Sequence, residues 1–151
     1  MPLNKWGVAL LFFSLAAGGF AGIGLYTFIY AKGYSYISND PAVCANCHIM
    51  QGHLDGWMKS THRSVAVCND CHLPESMIGK YYTKGRNGFW HSFYFTFGGF
   101  HEPIQATPLN QKVAEDNCRR CHGDIVDAID GNHSGSQKLG CVRCHGTVGH
   151  P

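Results

Sequence analysis

At 151 residues the chain holds one domain's worth of material, with charged side chains at 15% and a formal net charge of +2. That balance offers no basic surface for nucleic acid, which excludes that class of partner. All eight cysteines are used in the pattern below, which leaves none for disulfides.

Lys5 and Lys32 bracket Gly7 to Ala31, twenty-five residues without a charge. As a helix this run spans about 37 Å, more than the roughly 30 Å of a bilayer's hydrocarbon core. Trp6, Tyr26 and Tyr30 lie near its ends, where amphipathic rings favour the interface. Gly18, Gly19, Gly22 and Gly24 form a small-residue patch that suits either helix pairing or lipid. A cleaved signal peptide has an apolar stretch of about 7–15 residues, so the expectation is an uncleaved anchor. Residues 1–32 are therefore read as the membrane anchor and 33–151 as a second domain. Asn39-Asp40-Pro41 then marks a turn.

All eight cysteines fall in Cys-x-x-Cys-His, at 44/47/48, 68/71/72, 118/121/122 and 141/144/145. A zinc ribbon also uses paired Cys-x-x-Cys, but nothing in zinc chemistry requires a His after every second Cys. The repeated five-residue pattern is the attachment signature of c-type haem: two thioethers, with the His placed under the iron. Covalent sites are thus expected at Cys44, Cys47, Cys68, Cys71, Cys118, Cys121, Cys141 and Cys144, with four haem c groups. Four haems over some 120 residues leave little room for an ordinary apolar core. The fold class expected is mostly α and irregular: one transmembrane helix plus a tetrahaem domain with little regular structure. Motif starts are separated by 24, 50 and 23 residues, which reads as two di-haem modules. Haem attachment takes place outside the cytoplasm, so 33–151 is expected in the periplasm and the anchor in the inner membrane.

The insert 73–117 holds nine aromatic residues between Tyr81 and Phe100, preceded or joined by Lys80, Lys84 and Arg86. Basic and aromatic residues together suit the headgroup layer of the lipid bilayer, and aromatic cover for porphyrins is the other reading. Residues 110–122 read as a short helix delivering the third motif.

A low-spin haem needs a second axial ligand, usually His or Met. His72, His122 and His145 are the expected proximal ligands. Six histidines lie outside the motifs. His62, His133 and His150 are the distal candidates, each five to eight residues from a motif. His150 follows the fourth motif too closely to turn back on the same iron and is expected to serve another haem. His53, His91 and His101 are weaker candidates. Met50, two residues after His48, singles out the first motif, where Met50 or His48 ligates the iron.

In combination, the anchor, Cys44-x-x-Cys47-His48-x-Met50, three further motifs and the terminal Cys-x-x-Cys-His-x4-His resemble the NapC/NirT family of membrane-anchored tetrahaem quinol dehydrogenases. Residues 35–50, 68–74 and 84–92 are similar to the branch that serves as the small subunit of cytochrome c nitrite reductase. The resemblance implies that menaquinol is oxidised at the first haem. Electrons would then pass to a periplasmic multihaem reductase, the pentahaem nitrite reductase that makes ammonium, within a hetero-oligomer. Another acceptor, such as a nitrate reductase, an octahaem oxidoreductase or a cytochrome pool, is the alternative. The resemblance also implies Met50 on the first iron, His62 and His150 as distal ligands, and Lys80 beside the quinol. Asn87 stands where the family often has an acidic residue, and an amide cannot accept a proton as a carboxylate does. A carboxylate elsewhere, a histidine such as His91 or His101, or water is expected to take that role. Some members lack a His at position 133 and draw that ligand from the partner; His133 would supply it here.

Overall fold

The computed structural model describes residues 4–130 and 140–150, which form eight α-helices and short 3₁₀ turns with no strand among them. Two compact units divide the chain, residues 1–37 and 38–151.

In the first unit, α1 runs Lys5–Tyr30, twenty-six residues. The Asn4 side chain caps it by accepting the Gly7 N–H at 2.8 Å. None of its residues is buried, and an eighteen-residue stretch of it has a mean hydropathy of 2.1. A helix apolar on every side and uncovered by protein is built for lipid. It ends where Lys32 turns left-handed (φ 52°) into a 3₁₀ turn, Gly33–Tyr36. Gly33 passes so close to Phe28 that a Cβ would lie 2.4 Å from the ring, so any larger residue would have to push the ring aside.

The second unit is a set of short, individually capped helices. Asp40 accepts the Ala42 N–H at 2.9 Å and Pro41 opens α2, Pro41–Cys44. Then come α3, Gln51–Lys59, and α4, Cys68–His72. Trp57 Nε1 of α3 donates to the Ala66 carbonyl at 3.0 Å, holding the approach to α4. Ser76 caps α5, Met77–Phe97, which stops at Gly98 with φ 78°. Thr107 caps α6, Pro108–Cys121. The unit closes with α7, Gly123–Asp130, and α8, Cys141–Cys144.

The expected short helix at 110–122 is therefore α6, which starts two residues earlier and ends one residue earlier. The insert departs further from expectation, because 77–97 is one continuous helix of 21 residues. Apolar periodicity did not mark it, since the residues it buries are Thr83 and Lys84.

Among the described residues, Leu73 and Val113 are the only buried apolar side chains. Polar cross-links take over much of the work. α4 packs on α6, and the buried Asn117 side chain donates to the carbonyls of Cys71 and Leu73, both at 2.9 Å. Arg120 donates to the Asp70 carbonyl at 3.2 Å. Asn117→Ala leaves both carbonyls short of a donor beside the small core. Thermal unfolding of the haem-loaded protein is expected to show a loss of about 1–3 kcal/mol.

Candidate functional site

Three of the four motifs share one backbone form. α6 and α8 run through both cysteines, and the His that follows caps each helix at φ −112°, with ψ 28° for His122 and 31° for His145. In both, the His N–H donates to the first cysteine's carbonyl at 2.9 Å. α4 likewise carries Cys68 through His72 in one turn of helix. The first motif is different. α2 ends at Cys44 with Ala45 as its cap, and His48–Met50 form a separate 3₁₀ turn, with the Met50 N–H on the Cys47 carbonyl at 2.8 Å.

The attachment points succeed one another in chain order. The Cys44 and Cys68 thiols are hydrogen-bonded to each other, joining the first motif to the second. Cys71 feels the charge of Cys121, and Cys118 that of Cys71. Cys141 in turn feels Cys118. Burial first, then neighbouring charges, push the Cys71, Cys118 and Cys141 thiols up.

Histidine rings face one another across two gaps. His72 and His150 are parallel within 10°, with centroids 5.9 Å apart. His62 and His122 are 6.1 Å apart at 72°. With a metal–imidazole bond of about 2 Å on each side, two axial histidines place their ring centres roughly 6 Å apart. His62 Nδ1 is buried and has no hydrogen-bond partner, as befits a ring that serves a metal. Each pair joins a motif histidine to one of the distal candidates from another part of the chain. His53 is set against His150, Nδ1 to Nδ1 at 3.2 Å. His91 and His101 are exposed and join neither pair. His133 and the His48 side chain lie outside the described residues.

A zinc reading needs three or more ligands converging on one point, and no such cluster of His, Cys, Asp or Glu occurs among the described residues. Paired thiols on one helical turn, opposed imidazoles and a very small apolar core fit haem instead.

The quinol-site candidates Lys80, Asn87 and His91 lie on α5. With Lys84 between them they are spaced 4, 3 and 4 residues apart, which puts all four on one stripe of a helix. Asn87 and the Asn110 amide of α6 exchange two hydrogen bonds at 3.4 Å. Lys80 is half-buried beside Asn39, Asn69 and Asp70 in a shallow cavity. Phe89, Trp90, Phe93, Tyr94 and Phe97 cover another flank, exposed and in contact ring to ring.

The family model for the N-terminal region of NapC/NirT cytochromes c matches residues 4–151. The chain belongs to the NapC/NirT cytochrome c family. As a member of that family it carries covalently bound haem c. It is 33% identical to "Cytochrome c-type protein NrfH" of Wolinella succinogenes over 94% of this chain and 84% of that one. It is 29% identical to "Cytochrome c nitrite reductase subunit NrfH" of Nitratidesulfovibrio vulgaris over 80% and 72%. A solved cytochrome c nitrite reductase NrfHA complex, bound to the inhibitor HQNO, contains a similar chain at 25% identity. The TM-score is 0.64, with 89% of this chain and 88% of that one covered.

Sequence reasoning alone passed over several residues that hold this NapC/NirT site together. Lys84 could have been found from its place one turn after Lys80. Asn69, Asn117 and Glu115 carry no such signal, because their partners are backbone groups far away in sequence.

Two predictions test the geometry. His150→Ala is expected to turn the haem of the second motif high-spin, and His62→Ala that of the third, one each by electron paramagnetic resonance. Glu115 accepts the N–H groups of Cys141 at 2.8 Å and Val142 at 2.7 Å, seating α8 on α6. Burial pushes its carboxyl up, but those hydrogen bonds, with the Cys141 thiol and the Arg119 charge, hold it below the usual range. Its stabilisation is therefore present above the ordinary Glu value and lost as pH falls through the depressed one. Glu115→Gln is expected to lower stability by about 1–2 kcal/mol at neutral pH, a difference that narrows in thermal melts as pH falls through the depressed Glu115 value.

Proposed function

We propose that this chain is the membrane-anchored subunit that oxidises menaquinol and delivers the electrons to a periplasmic, pentahaem cytochrome c nitrite reductase, which forms ammonium. The observation that carries the reading is the likeness to the chain of the NrfHA complex, which runs almost the full length of both. The NrfH relatives support it across most of their own length. α1 is the single-pass anchor in the inner membrane, and residues 33–151 stand on the periplasmic side.

Four haems are held by Cys44 and Cys47, Cys68 and Cys71, Cys118 and Cys121, and Cys141 and Cys144. When bound they supply one-electron carriers between the quinol and the partner. His72 and His150 would hold the second iron, and His122 and His62 the third. His145 and His133 would serve the fourth. Met50 offers the first iron a thioether, which favours the reduced state and suits a site that receives electrons. The break in α2 before Cys47 supports this, since it sets the first motif's histidine apart from the helix-capping ones.

Lys80 presents an ammonium donor to a quinol oxygen. Asn87, already paired with Asn110, can position the ring by hydrogen bonding but takes no proton. His91, on the same stripe, is the group that receives it and passes it to solvent.

Haem-loaded protein isolated in mild detergent is expected to bring a nitrite-reducing multihaem partner with it, and to be reduced by a menaquinol analogue. Lys80→Ala is expected to slow that reduction roughly ten- to a hundredfold, the value of a hydrogen bond to a charged donor. No reduction by the analogue, or a different reductase as stable partner, would overturn the assignment.

A further inference from the structure

Lys84 of α5 is a buried lysine, 8% exposed, in a unit that buries very little. Its Nζ donates to the Ser38 carbonyl at 3.0 Å. The same carbonyl accepts from Asn69 Nδ2 at 3.0 Å, and Asn69 also donates to Asn39 Oδ1 at 2.7 Å. Asn69 follows Cys68 inside the second motif. Ser38 and Asn39 lead through the Asp40 cap into α2, whose last residue is Cys44. One carbonyl oxygen thus ties together the approach to the first haem, the helix of the second and α5.

The ammonium is also felt at the first attachment point. In the unmodified chain the Cys44 thiol is lowered to about 7, chiefly by its hydrogen bond with Cys68, against burial, and with help from Lys84. A lysine brought so far out of water is costly, and an apolar side chain of similar length would fill the space at less expense. What an apolar residue could not supply is a fixed positive charge in a medium of low dielectric constant. Reducing a haem adds negative charge, and a nearby cation favours that state.

We propose that Lys84 is a positioning residue for the first haem: its ammonium raises the potential of the haem on Cys44 and Cys47 and, through the Ser38 carbonyl, holds α2 against α4. The inference rests on haem attachment at the first motif. It needs neither menaquinol as donor nor nitrite reductase as partner, so its failure is distinct from failure of the function above.

The test is a potentiometric titration of haem-loaded, detergent-solubilised protein, followed optically and by electron paramagnetic resonance. Lys84→Gln is expected to move one haem to lower potential and leave the other three in place. Lys84→Arg is expected to keep all four. Asn69→Ala, which removes the other donor but keeps the charge, is expected to lower the melting temperature without moving the potential. An unchanged titration in Lys84→Gln, or an equal shift of all four haems, overturns the proposal. If only the Arg variant accumulates with haem, charge is required at this position and the proposal stands. If neither variant does, Lys84 is a packing residue and the proposal falls.

Discussion

The second unit is short of apolar core. Outside α1, the described chain buries only Leu73 and Val113 as apolar side chains, and its helices are mostly of four to nine residues. Helices that short do not persist on propensity. Each is stabilised by something outside itself: a cap, a side chain from another helix, or the thioether bonds that fix a helical turn to a porphyrin. This constraint explains why the second, third and fourth motifs sit on helices at all. Cys-x-x-Cys places its two sulfurs on one side of a turn, and the next residue ends the helix with its side chain free to point elsewhere.

Neutral amides, one carboxylate and the Arg120 guanidinium join the motifs. Asn69 binds the second motif to the approach to the first, and Asn117 binds the third motif's helix to the second. Glu115 binds the fourth motif to the third. Each connects neighbours in the order of the chain, the same order in which the cysteines succeed one another. Asn suits this task because it can satisfy backbone carbonyls without carrying a charge into a site whose electrostatics set redox potentials.

Much of this was legible in the sequence. The uncharged run, the four motifs and their spacing point to an anchor and to haem, and a helix before the third motif is expected close to where α6 lies. Two things were not legible. α5 buries a threonine and a lysine, so apolar periodicity has nothing to report, and its Ser76 and Gly98 boundaries are visible only in retrospect. The histidine pairing was also hidden. Proximity in sequence links His62 to the second motif, but its ring faces His122 of the third. Distance along the chain is a poor guide when short helices fold back on one another.

The two facing pairs have a topological consequence. His62 and His122 are 60 residues apart, and His72 and His150 are 78 apart. In the proposed ligation each pair is closed through an iron whose porphyrin is itself bonded to the chain, so each is a cross-link in the sense that a disulfide is. Closing loops of that size removes unfolded-state freedom worth about 4 kcal/mol apiece, on the chain-entropy account used for disulfides. The two loops overlap: His72 lies inside the first and His122 inside the second. Under that ligation a chain with no spare cysteine would gain, from imidazole and iron, the stapled architecture that small extracytoplasmic domains usually take from sulfur.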